Sequence, residues 1–433
     1  MTTETLAGIA GLKGLDGIRK TTNPGELRQK SRDFYWFSPI LNEALDDKRA
    51  DLVVFPADRD ELARVVSAAV RAGIPLTARG GGTGNYGQCV PLAGGVVIAF
   101  SALDRIVHKG AWTVRAEAGI RMSKLNDALN EHGQEMRLYP STVRLSSLGG
   151  YIGGGVGGVG SVTWGMLSQP GNVLSALIMT IEPEPRLIEL RGADLAKVFH
   201  AYGTTGLMVE VELPLTARHA WVESIYGFAD LAAAIDFSRA IAEAHAILKR
   251  DVATLEWPVP LALKRLASWV PADTHLVFVS AADIAGDALD DLAARSGADL
   301  LYRKTAAELK HEGLPPNYEY GWNHATLNLL LSDRTTPVTY LQCGFPLGRE
   351  KELIAALRER LGDEVHVQLQ WVRLGGILTC FGLHLVRYVS PERLSEVVAI
   401  HRQLGISMKN PHVYELEHGE PTATHRAMAA FQA

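Results

Sequence analysis

The sequence predicts an α+β protein with a glycine-rich first half and, in its second half, an antiparallel sheet backed by helices. Three observations support this prediction. A β-α-β pattern over residues 51–79 runs into a glycine-rich loop at residues 79–88. A second glycine-rich stretch occupies residues 149–160. Beyond residue 216 long glycine loops disappear, and helical and β-like segments alternate. A chain of 433 residues is also long enough for two or three domains.

The composition is typical of a globular chain, with 47% hydrophobic and 21% charged residues. A net charge of −5 gives no general attraction to nucleic acid or to anionic membranes. The three cysteines, Cys89, Cys343 and Cys380, are too far apart for a disulfide framework or a metal knuckle, which is typical of a reducing compartment. The N-terminal residues lack the basic and apolar regions of a signal peptide. We therefore expect a cytoplasmic protein with no nucleic-acid partner, membrane span or metal.

The first half begins with a β-α-β unit. Residues 51–55 are strand-like, and Asp58 with Glu61 forms a capping-box pattern for the helix that follows. That helix places its apolar residues on one face, at Leu62, Val65, Val66, Ala69 and Val70. Gly73 and Pro75 end the helix, and residues 76–78 form the next strand.

The loop after this strand reads Arg79-Gly80-Gly81-Gly82-Thr83-Gly84-Asn85-Tyr86-Gly87-Gln88. Its five glycines leave backbone N–H groups exposed and can fold around an anion, because glycine reaches backbone angles that other residues avoid. Residues 89–91 cannot begin a helix cleanly, so the loop's own amides, rather than a helix dipole, would bind the anion. We interpret the loop as a pyrophosphate cradle; an ordinary surface turn is the alternative.

The second stretch has eight glycines among the twelve residues 149–160. Since each glycine costs a helix about 1 kcal/mol relative to alanine, we predict that this stretch is not helical. A flexible linker would be polar, whereas Tyr151, Ile152, Val156 and Val159 are interleaved here. The polar flanks also exclude a transmembrane glycine motif, which needs an apolar segment of about 20 residues. Two glycine-rich segments beside β-like sequence predict one extended cofactor lying across both.

The periodicity of apolar residues and the positions of helix-breaking residues predict the remaining helices and strands. In the first half we predict strands at residues 95–100, 112–116, 173–181 and 207–213, the last ending at Pro214, and short helices at residues 123–133 and 194–200. In the second half we predict helices at residues 230–246, 349–361 and 390–404, and strands at residues 276–280, 339–345, 365–372 and 377–389. Alternation within residues 365–371 predicts a sheet with one wet face carrying His366, Gln368 and Gln370.

Four blocks of sequence carry a family resemblance. They are residues 51–56, the loop 79–88, Pro140-Ser141-Thr142 leading through residues 147–150 to Trp164-Gly165, and residues 202–209. In this order and spacing they resemble the FAD-binding fold of the vanillyl-alcohol oxidase/p-cresol methylhydroxylase (PCMH) superfamily, especially its glycolate/D-lactate dehydrogenase-like branch. The resemblance covers residues 50–216, about half of the chain.

The resemblance implies an N-terminal arm at residues 1–50 and a two-subdomain PCMH-type FAD-binding domain at residues 51–216. A substrate (cap) domain at residues 217–404 and a C-terminal segment, 405–433, that returns to the FAD domain would follow. FAD would be bound by the loop residues Arg79, Gly80, Gly81, Gly82, Thr83, Gly84, Asn85, Tyr86, Gly87 and Gln88, by Pro140, Ser141, Thr142, Leu148, Gly149, Gly150, Gly153, Gly154, Gly157, Gly158, Ser161 and Trp164, and by Gly206, Met208 and Asn410.

The implied activity is an FAD-dependent oxidation of an alcohol-type substrate (a 2-hydroxy acid, a polyol or an aromatic alcohol) by hydride transfer to flavin N5. Members with covalent flavin often carry a histidine near the position of Thr83, so non-covalent FAD is expected. Oxygen or another acceptor would take the electrons, and the oligomeric state, with a homodimer among the options, stays open. The alternatives are an electron-transfer subunit without a substrate site, an NADPH-dependent reductase of the same fold, and a non-enzymatic binding protein.

The branch's His-Gly-Asp-Gly-Asn segment is missing here, and neither residues 383–385 nor residues 417–419 restore it. This departure puts a 2-hydroxy acid substrate in question. His324 and His366 are the candidate bases, because imidazole titrates near neutral pH. The further candidates for the catalytic site are Arg373 as a carboxylate clamp, Tyr320 and Tyr151.

Overall fold

The computed structural model describes residues 12–333 and 335–414. The described chain divides into two compact units. Unit 1 contains the residues up to Gly158, Leu167–Arg218 and the residues from His412 onward, and unit 2 contains Val159–Met166 and His219–Pro411. No helix among the described residues is long and apolar enough to cross a bilayer.

The first layer of unit 1 is a four-stranded sheet with strand order β1-β2-β4-β3, in which β2, β4 and β3 are parallel and β1 is antiparallel to β2. Its elements are β1 (Arg19–Thr21), α1 (Pro24–Lys30), α2 (Pro39–Leu45), β2 (Leu52–Phe55), α3 (Arg59–Arg71), β3 (Leu76–Arg79) and β4 (Val96–Ala99). Helix α3 begins as predicted, because the Asp58 carboxylate accepts the Glu61 N–H at 2.8 Å. The helix buries Leu62, Val65 and Val66 against the sheet.

The second layer of unit 1 is an antiparallel sheet with order β5-β6-β10-β8-β9, and β7 pairs with the far end of β10. Its elements are β5 (Ile106–Lys109), β6 (Thr113–Glu117), α4 (Met122–Asn130), β7 (Gln134–Met136), α5 (Leu148–Gly154), β8 (Ser175–Met179), β9 (Leu187–Arg191) and β10 (Leu207–Ala217). The short helix expected at residues 194–200 is a 3₁₀ helix at Gly192–Lys197.

The prediction that Pro214 ends strand β10 was wrong, because the strand continues to Ala217. Leu215 donates its N–H to the Trp112 carbonyl on the β6 side, so the nitrogen of Pro214 faces the opposite side. On that side the pairing with β8 stops at Glu212. The missing N–H of proline therefore interrupts no ladder bond at this position.

Unit 2 is built on a nine-stranded antiparallel sheet with order β14-β11-β13-β12-β17-β18-β15-β19, and β16 pairs with β18. Its helices are α6 (Ser161–Trp164), α7 (Leu231–Glu243), α8 (Gly286–Ser296), α9 (Ala306–Glu312), α10 (His324–Ser332), α11 (Glu350–Leu361) and α12 (Pro391–Gln403). Its strands are β11 (Trp221–Phe228), β12 (Lys249–Leu255), β13 (His275–Ala282), β14 (Asp299–Thr305), β15 (Val338–Phe345), β16 (Val365–His366), β17 (Gln368–Leu374), β18 (Ile377–Arg387) and β19 (Ser407–Lys409). The α+β prediction, with an antiparallel sheet and helices in the second half, is confirmed.

The predicted wet face of residues 365–371 does not exist. Gln368 and Gln370 are each only 1% exposed. The side of the sheet that carries Ala253 and Phe278 is covered by Tyr320 and other residues of the segments 259–270 and 309–329, which form an apolar core with the strands. An alternation of polar and apolar residues shows which side chains share a face, but not whether another segment covers that face.

A chain of hydrogen bonds links two buried histidines and a cysteine in unit 2. The His401 Nδ1–H donates to the Val397 carbonyl at 2.7 Å, which leaves His401 Nε2 as the acceptor for His384 Nδ1–H at 3.0 Å. His384 Nε2 then accepts from the Cys343 thiol at 3.6 Å. Burial lowers the pKa of both imidazoles, so the pair is neutral in the folded protein.

Candidate functional site

The first glycine loop of unit 1 begins where β3 ends, at Arg79. The Arg79 side chain turns back under the loop, and its Nη1 donates to the Arg32 carbonyl at 2.6 Å and to Cys89 Sγ at 3.0 Å. Gly82 has φ = +65°, and a Cβ atom there would overlap the Arg79 guanidinium. Only glycine lets the backbone pass this close to the guanidinium, so the loop carries a buried positive charge directly beneath it.

Four successive backbone N–H groups of this loop lack a protein acceptor. Within the described residues, the amides of Gly81, Gly82, Thr83 and Gly84 donate no hydrogen bond to protein atoms. Consecutive free amides over a buried guanidinium are the kind of donor set found in anion-binding backbone nests. The donor set suits phosphate oxygens, which accept several hydrogen bonds at once.

The N-terminal arm forms the back of this loop. Phe34 donates its N–H to the Gly84 carbonyl at 2.7 Å, and the Asp33 carboxylate accepts the Tyr35 N–H at 2.8 Å. Asp33 is 6% exposed, and burial raises its pKa to about 7 despite the nearby Arg79. Sequence reasoning missed Asp33, because an isolated aspartate in a polar arm gives no periodic or motif signal.

The second glycine-rich stretch contains a helix, contrary to our prediction. Helix α5 is capped by Ser147, whose Oγ accepts the Gly150 N–H at 3.2 Å. A Cβ atom at Gly149 would lie 2.6 Å from the Cβ of Ala118, inside contact distance. Tertiary packing therefore overrides the low helix propensity, because only a helix without side chains on this face fits against Ala118.

The two glycine-rich segments lie directly against each other in unit 1. Gln88 Nε2 donates to the Gly154 carbonyl at 3.0 Å, and a Cβ atom at Gly80 would lie 3.2 Å from the Gly150 Cα. A hydroxyl chain adds a second link, in which Ser146 Oγ is 2.8 Å from both Thr83 Oγ1 and Thr142 Oγ1. Glycine is required on both sides of this contact, because a side chain on either would separate the segments.

Beside this contact, α5 offers a bare surface and unsatisfied polar atoms. Among the described residues, no atom outside Gly153, its two chain neighbours and the backbone of its own helix lies within 4 Å of the position that a Cβ atom of Gly153 would occupy. Gln88 Oε1 and the Tyr151 hydroxyl are buried and have no hydrogen-bond partner among the described residues. Burial raises the pKa of Tyr151, which therefore stays protonated. Free amides, a buried guanidinium and an exposed glycine surface fit the pyrophosphate and the flat rings of a dinucleotide.

The other residues predicted to bind the cofactor are distributed over both units. Gly206, with φ = +131°, directly precedes β10 and lies next to Ile178, and Met208 pairs with Ile178 in the same sheet. Unit 1 also contains Asn85, Tyr86, Gly87, Pro140, Ser141, Leu148, Gly157 and Gly158. Ser161, Trp164 and Asn410 belong to unit 2.

Comparison with known proteins identifies the glycine-rich part of the chain. The family model described as an FAD binding domain matches residues 50–184. Residues 50–184 are an FAD-binding domain. The matched region of this FAD-binding domain includes the loop 79–88 and helix α5, and the prediction of a PCMH-type FAD-binding fold is confirmed.

Sequence relatives match the same part of the chain. An uncharacterised FAD-linked oxidoreductase of Mycobacterium tuberculosis is 31% identical over 159 residues, which are 36% of this chain and 33% of that protein. The glycolate oxidase subunit GlcD of Escherichia coli is 26% identical over 175 residues, 39% of this chain and 35% of that protein. The chain thus spans about a third of the length of the curated relatives that it matches.

A solved structure extends the likeness beyond the FAD-binding domain. Alkyldihydroxyacetonephosphate synthase superposes with a TM-score of 0.71 over 94% of this chain and 82% of that chain. The sequence identity is 14%, so the likeness establishes the fold alone.

Four of the five predicted catalytic residues lie in unit 2, and the structure groups them only in part. Tyr320 is stacked on Phe278 with its hydroxyl buried, and His324 begins α10 four residues further on. His366 lies apart from them near Glu256, with Nδ1 and Oε2 3.9 Å from each other, and burial lowers its pKa. Arg373 donates to the carbonyls of Val162 and Gly376. These two backbone contacts use Nε and one Nη1 donor of the guanidinium that we expected to clamp a carboxylate.

A cluster of buried polar side chains in unit 2 was missed by the sequence analysis. Asp251, on β12, is 2% exposed and accepts hydrogen bonds from Gln370 Nε2 at 2.7 Å and from Trp322 Nε1 at 3.3 Å. Burial, and after it the nearby Glu223, raises the Asp251 pKa to about 7. Strand β12 reads KRDVATL and was not predicted, because its charged start hides a strand that is buried on both faces.

Proposed function

We propose that this protein is an FAD-dependent oxidoreductase that oxidises a CH–OH group of a small molecule. The direct contact between the loop 79–88 and helix α5 carries this proposal, because it brings bare backbone from two distant segments to one place. The FAD-binding domain over residues 50–184 and the names of FAD-linked oxidoreductases among the relatives support it.

When bound, the flavin supplies the hydride acceptor for the oxidation. The protein supplies binding and orientation. The free amides of residues 81–84 would bind the pyrophosphate, and the buried Arg79 guanidinium would offset its charge. The bare surface at Gly153 would let a flat ring approach the helix backbone.

We propose that FAD is held without a covalent bond. Thr83 cannot form the histidyl link that covalent members of the fold use. All three cysteines are buried, and Cys89 accepts a hydrogen bond from Arg79. Burial raises the pKa of Cys89 to about 12, which leaves this thiol unreactive.

The relatives and the residues of unit 2 give different indications of the substrate class. The name of the glycolate oxidase subunit points to hydroxy acids. Polyols and aromatic alcohols are the other alcohols that this chemistry accommodates, and the engagement of Arg373 by backbone carbonyls weakens the case for a carboxylate clamp there.

An anaerobic titration tests the proposal. The purified protein is saturated with FAD, and glycolate, D-lactate, D-sorbitol or vanillyl alcohol is added while the flavin absorbance is followed. Bleaching by any of these alcohols supports the oxidoreductase. Bleaching by NADPH alone would favour a reductase of the same fold. A flavin that stays oxidised with every alcohol but exchanges electrons with a redox dye would favour an electron-transfer subunit.

Two further properties can be measured on the same sample. Acid precipitation should release the yellow colour into the supernatant, because we expect dissociable FAD. Admission of air to the reduced protein then tests whether oxygen is the acceptor, and light scattering after gel filtration tests a homodimer.

A further inference from the structure

The polar cluster in unit 2 lies on one face of two neighbouring strands. In the register of β12 and β17, Ala253 is opposite Gln370 and Leu255 is opposite Gln368. Asp251 and these two glutamines therefore project from the same face of the sheet. All three side chains are at least 98% buried, so their polar atoms have lost contact with bulk water.

Only part of this cluster is satisfied by the protein. Gln370 Nε2 donates to Asp251 Oδ1 at 2.7 Å and to the Val252 carbonyl at 3.2 Å. These two acceptors fix the orientation of the Gln370 amide and leave its Oε1 as an acceptor. Among the described residues, Gln370 Oε1, Asp251 Oδ2 and both amide atoms of Gln368 have no partner.

Such a set of unsatisfied atoms is costly without a ligand. A buried polar group without a partner has lost its hydrogen bonds to water and gained none in the protein, and four such atoms lie in one cluster. Native proteins bury few such groups, and a concentration of them indicates a missing partner. Trp322 Nε1 donates to Asp251 Oδ1, so this indole lies beside the cluster without a ligand present.

The hydrogen-bonding capacity of the four unsatisfied atoms indicates which kind of ligand would fit. Gln370 Oε1 is an acceptor, the Gln368 amide offers one donor and one acceptor, and Asp251 Oδ2 accepts when the carboxyl is ionised and donates when it is protonated. A hydroxyl group donates one hydrogen bond and accepts others, which matches this set in either protonation state of Asp251. A carboxylate does not match it once Asp251 is ionised, because it would face a like charge and find one donor, Gln368 Nε2. The nearby arginine, Arg250, is engaged by Glu223 and Ser280.

We infer that Asp251, Gln368 and Gln370 bind the hydroxyl groups of an uncharged polyhydroxy compound. The site lies wholly within unit 2. On the proposed function, this compound is the alcohol that is oxidised, and the inference narrows the substrate class to neutral polyols. Buried water in place of a ligand is the alternative for the same atoms.

Gly321 allows the site to be blocked without changing a polar group. A Cβ atom there would lie 3.6 Å from Gln370 Oε1 and 3.9 Å from Gln368 Nε2, at ordinary contact distance. Gly321→Ala should therefore fold, while its methyl group occupies the space above both amides. Gly344→Ala is the matched control, because a Cβ atom at Gly344 would meet only Phe381 and Ser407, at 3.9 Å.

The test compares polyols with their acids by isothermal titration calorimetry on the FAD-saturated protein under nitrogen. The pairs are glycerol with glycerate, xylitol with xylonate, and D-sorbitol with D-gluconate. We expect at least one polyol to bind about tenfold more tightly than its acid, and Gly321→Ala to weaken that binding by about tenfold or more. Gly344→Ala should bind like the wild type.

Asp251→Asn provides a second variant, since it has nearly the same shape and replaces the open acceptor by a donor. It should also weaken polyol binding. The inference is overturned if no polyol binds, if the acids bind as tightly as the polyols, or if Gly321→Ala binds like the wild type, the result expected for buried water only.

The flavin absorbance separates the two proposals. A polyol that binds at this cluster without bleaching the flavin leaves the site standing and counts against the oxidoreductase, whereas bleaching by glycolate without polyol binding does the reverse.

Discussion

Unit 1 and unit 2 build their candidate sites from different parts of the polypeptide. In unit 1 the binding groups are backbone amides, exposed because residues 79–84 and helix α5 carry few side chains. In unit 2 the groups are side chains of Asp251, Gln368 and Gln370, which adjacent strands bring together and a covering segment buries. Each unit also buries one aspartate whose pKa is raised to about 7, Asp33 in the first and Asp251 in the second.

The difference shows which kind of site a sequence reveals. A backbone site demands glycine at fixed positions, and glycine clusters are visible in the sequence. A side-chain site on a sheet depends on strand pairing and on what covers the face, neither of which is local. Four experiments test this contrast.

The largest effect is expected at the contact between the glycine segments. A Cβ atom at Gly81 would overlap the Leu145 carbonyl oxygen and lie 3.0 Å from the Ser146 Cα. Because backbone atoms cannot rotate away, Gly81→Ala should separate the segments and weaken FAD binding by about 1,000-fold, or about 4 kcal/mol. Fluorescence titration of the apoprotein with FAD measures this. Gly286→Ala, where a Cβ atom meets nothing within 4 Å, is the control, and unchanged FAD affinity in Gly81→Ala would remove the backbone explanation of the site.

The next effect concerns the buried carboxyl of unit 2. Because the folded pKa of Asp251 is raised to about 7, the unfolded chain releases its proton first, and stability is lost as the pH rises from 4 towards 7. Asp251→Asn should therefore gain little stability near pH 4 and on the order of 3 kcal/mol above pH 7.

Guanidinium unfolding at pH 5 and pH 8 measures this gain. Six of the eight tryptophans belong to unit 2, so their fluorescence reports mainly on that unit; the six are Trp164, Trp221, Trp257, Trp269, Trp322 and Trp371. Asp33→Asn is the matched variant in unit 1, with the same sign expected. An equal gain at both pH values would show that Asp251 is ionised in the folded protein.

The histidine pair of unit 2 predicts the opposite pH dependence. Burial lowers the pKa of His384 and His401, so stability is present above their unfolded pKa of about 6.5 and is lost as the pH falls. Between pH 6.5 and 5.5 we expect the free energy of unfolding to fall. The measurement uses the Asp33→Asn/Asp251→Asn background, which removes the opposing carboxyl contributions. A stability that is flat over this range would mean that one imidazole is charged in the fold.

The smallest effect distinguishes folding from cofactor binding at α5. Since no protein atom lies near the Cβ position of Gly153, Gly153→Ala should stabilise the apoprotein by about 1 kcal/mol through helix propensity. The same methyl group should weaken FAD binding severalfold if a flat ring approaches this surface. Thermal unfolding without and with FAD measures both changes, and a variant that gains stability in both states would place the cofactor elsewhere.

The sequence predicted the features of the fold that depend on local chemistry. The Asp58 cap, the apolar face of α3 and the loop after β3 all follow from residue types at short spacing. The contact between the two glycine segments also agrees with the expectation that they meet.

The failures have physical causes that act over long distances. Helix α5 forms in spite of its glycines, because close packing against Ala118 accepts no side chain. Gln368 and Gln370 are buried, because the segments 259–270 and 309–329 cover a face that we predicted to be exposed. The Asp251 cluster needs the register of β12 with β17, and no short pattern in the sequence encodes that register.

Residues 159–166 interrupt unit 1 although they follow α5 directly in the sequence. They are hydrogen-bonded to strands far along the chain, through Gly160 to the Arg250 carbonyl and through Thr163 Oγ1 to the Lys249 carbonyl. A gene fragment that stops at residue 218 would therefore encode residues 159–166 without the strand residues to which they are hydrogen-bonded. No single cut yields unit 1 alone, and a recombinant exchange of unit 1 with a relative must replace three stretches of chain, which are separated by residues 159–166 and 219–411.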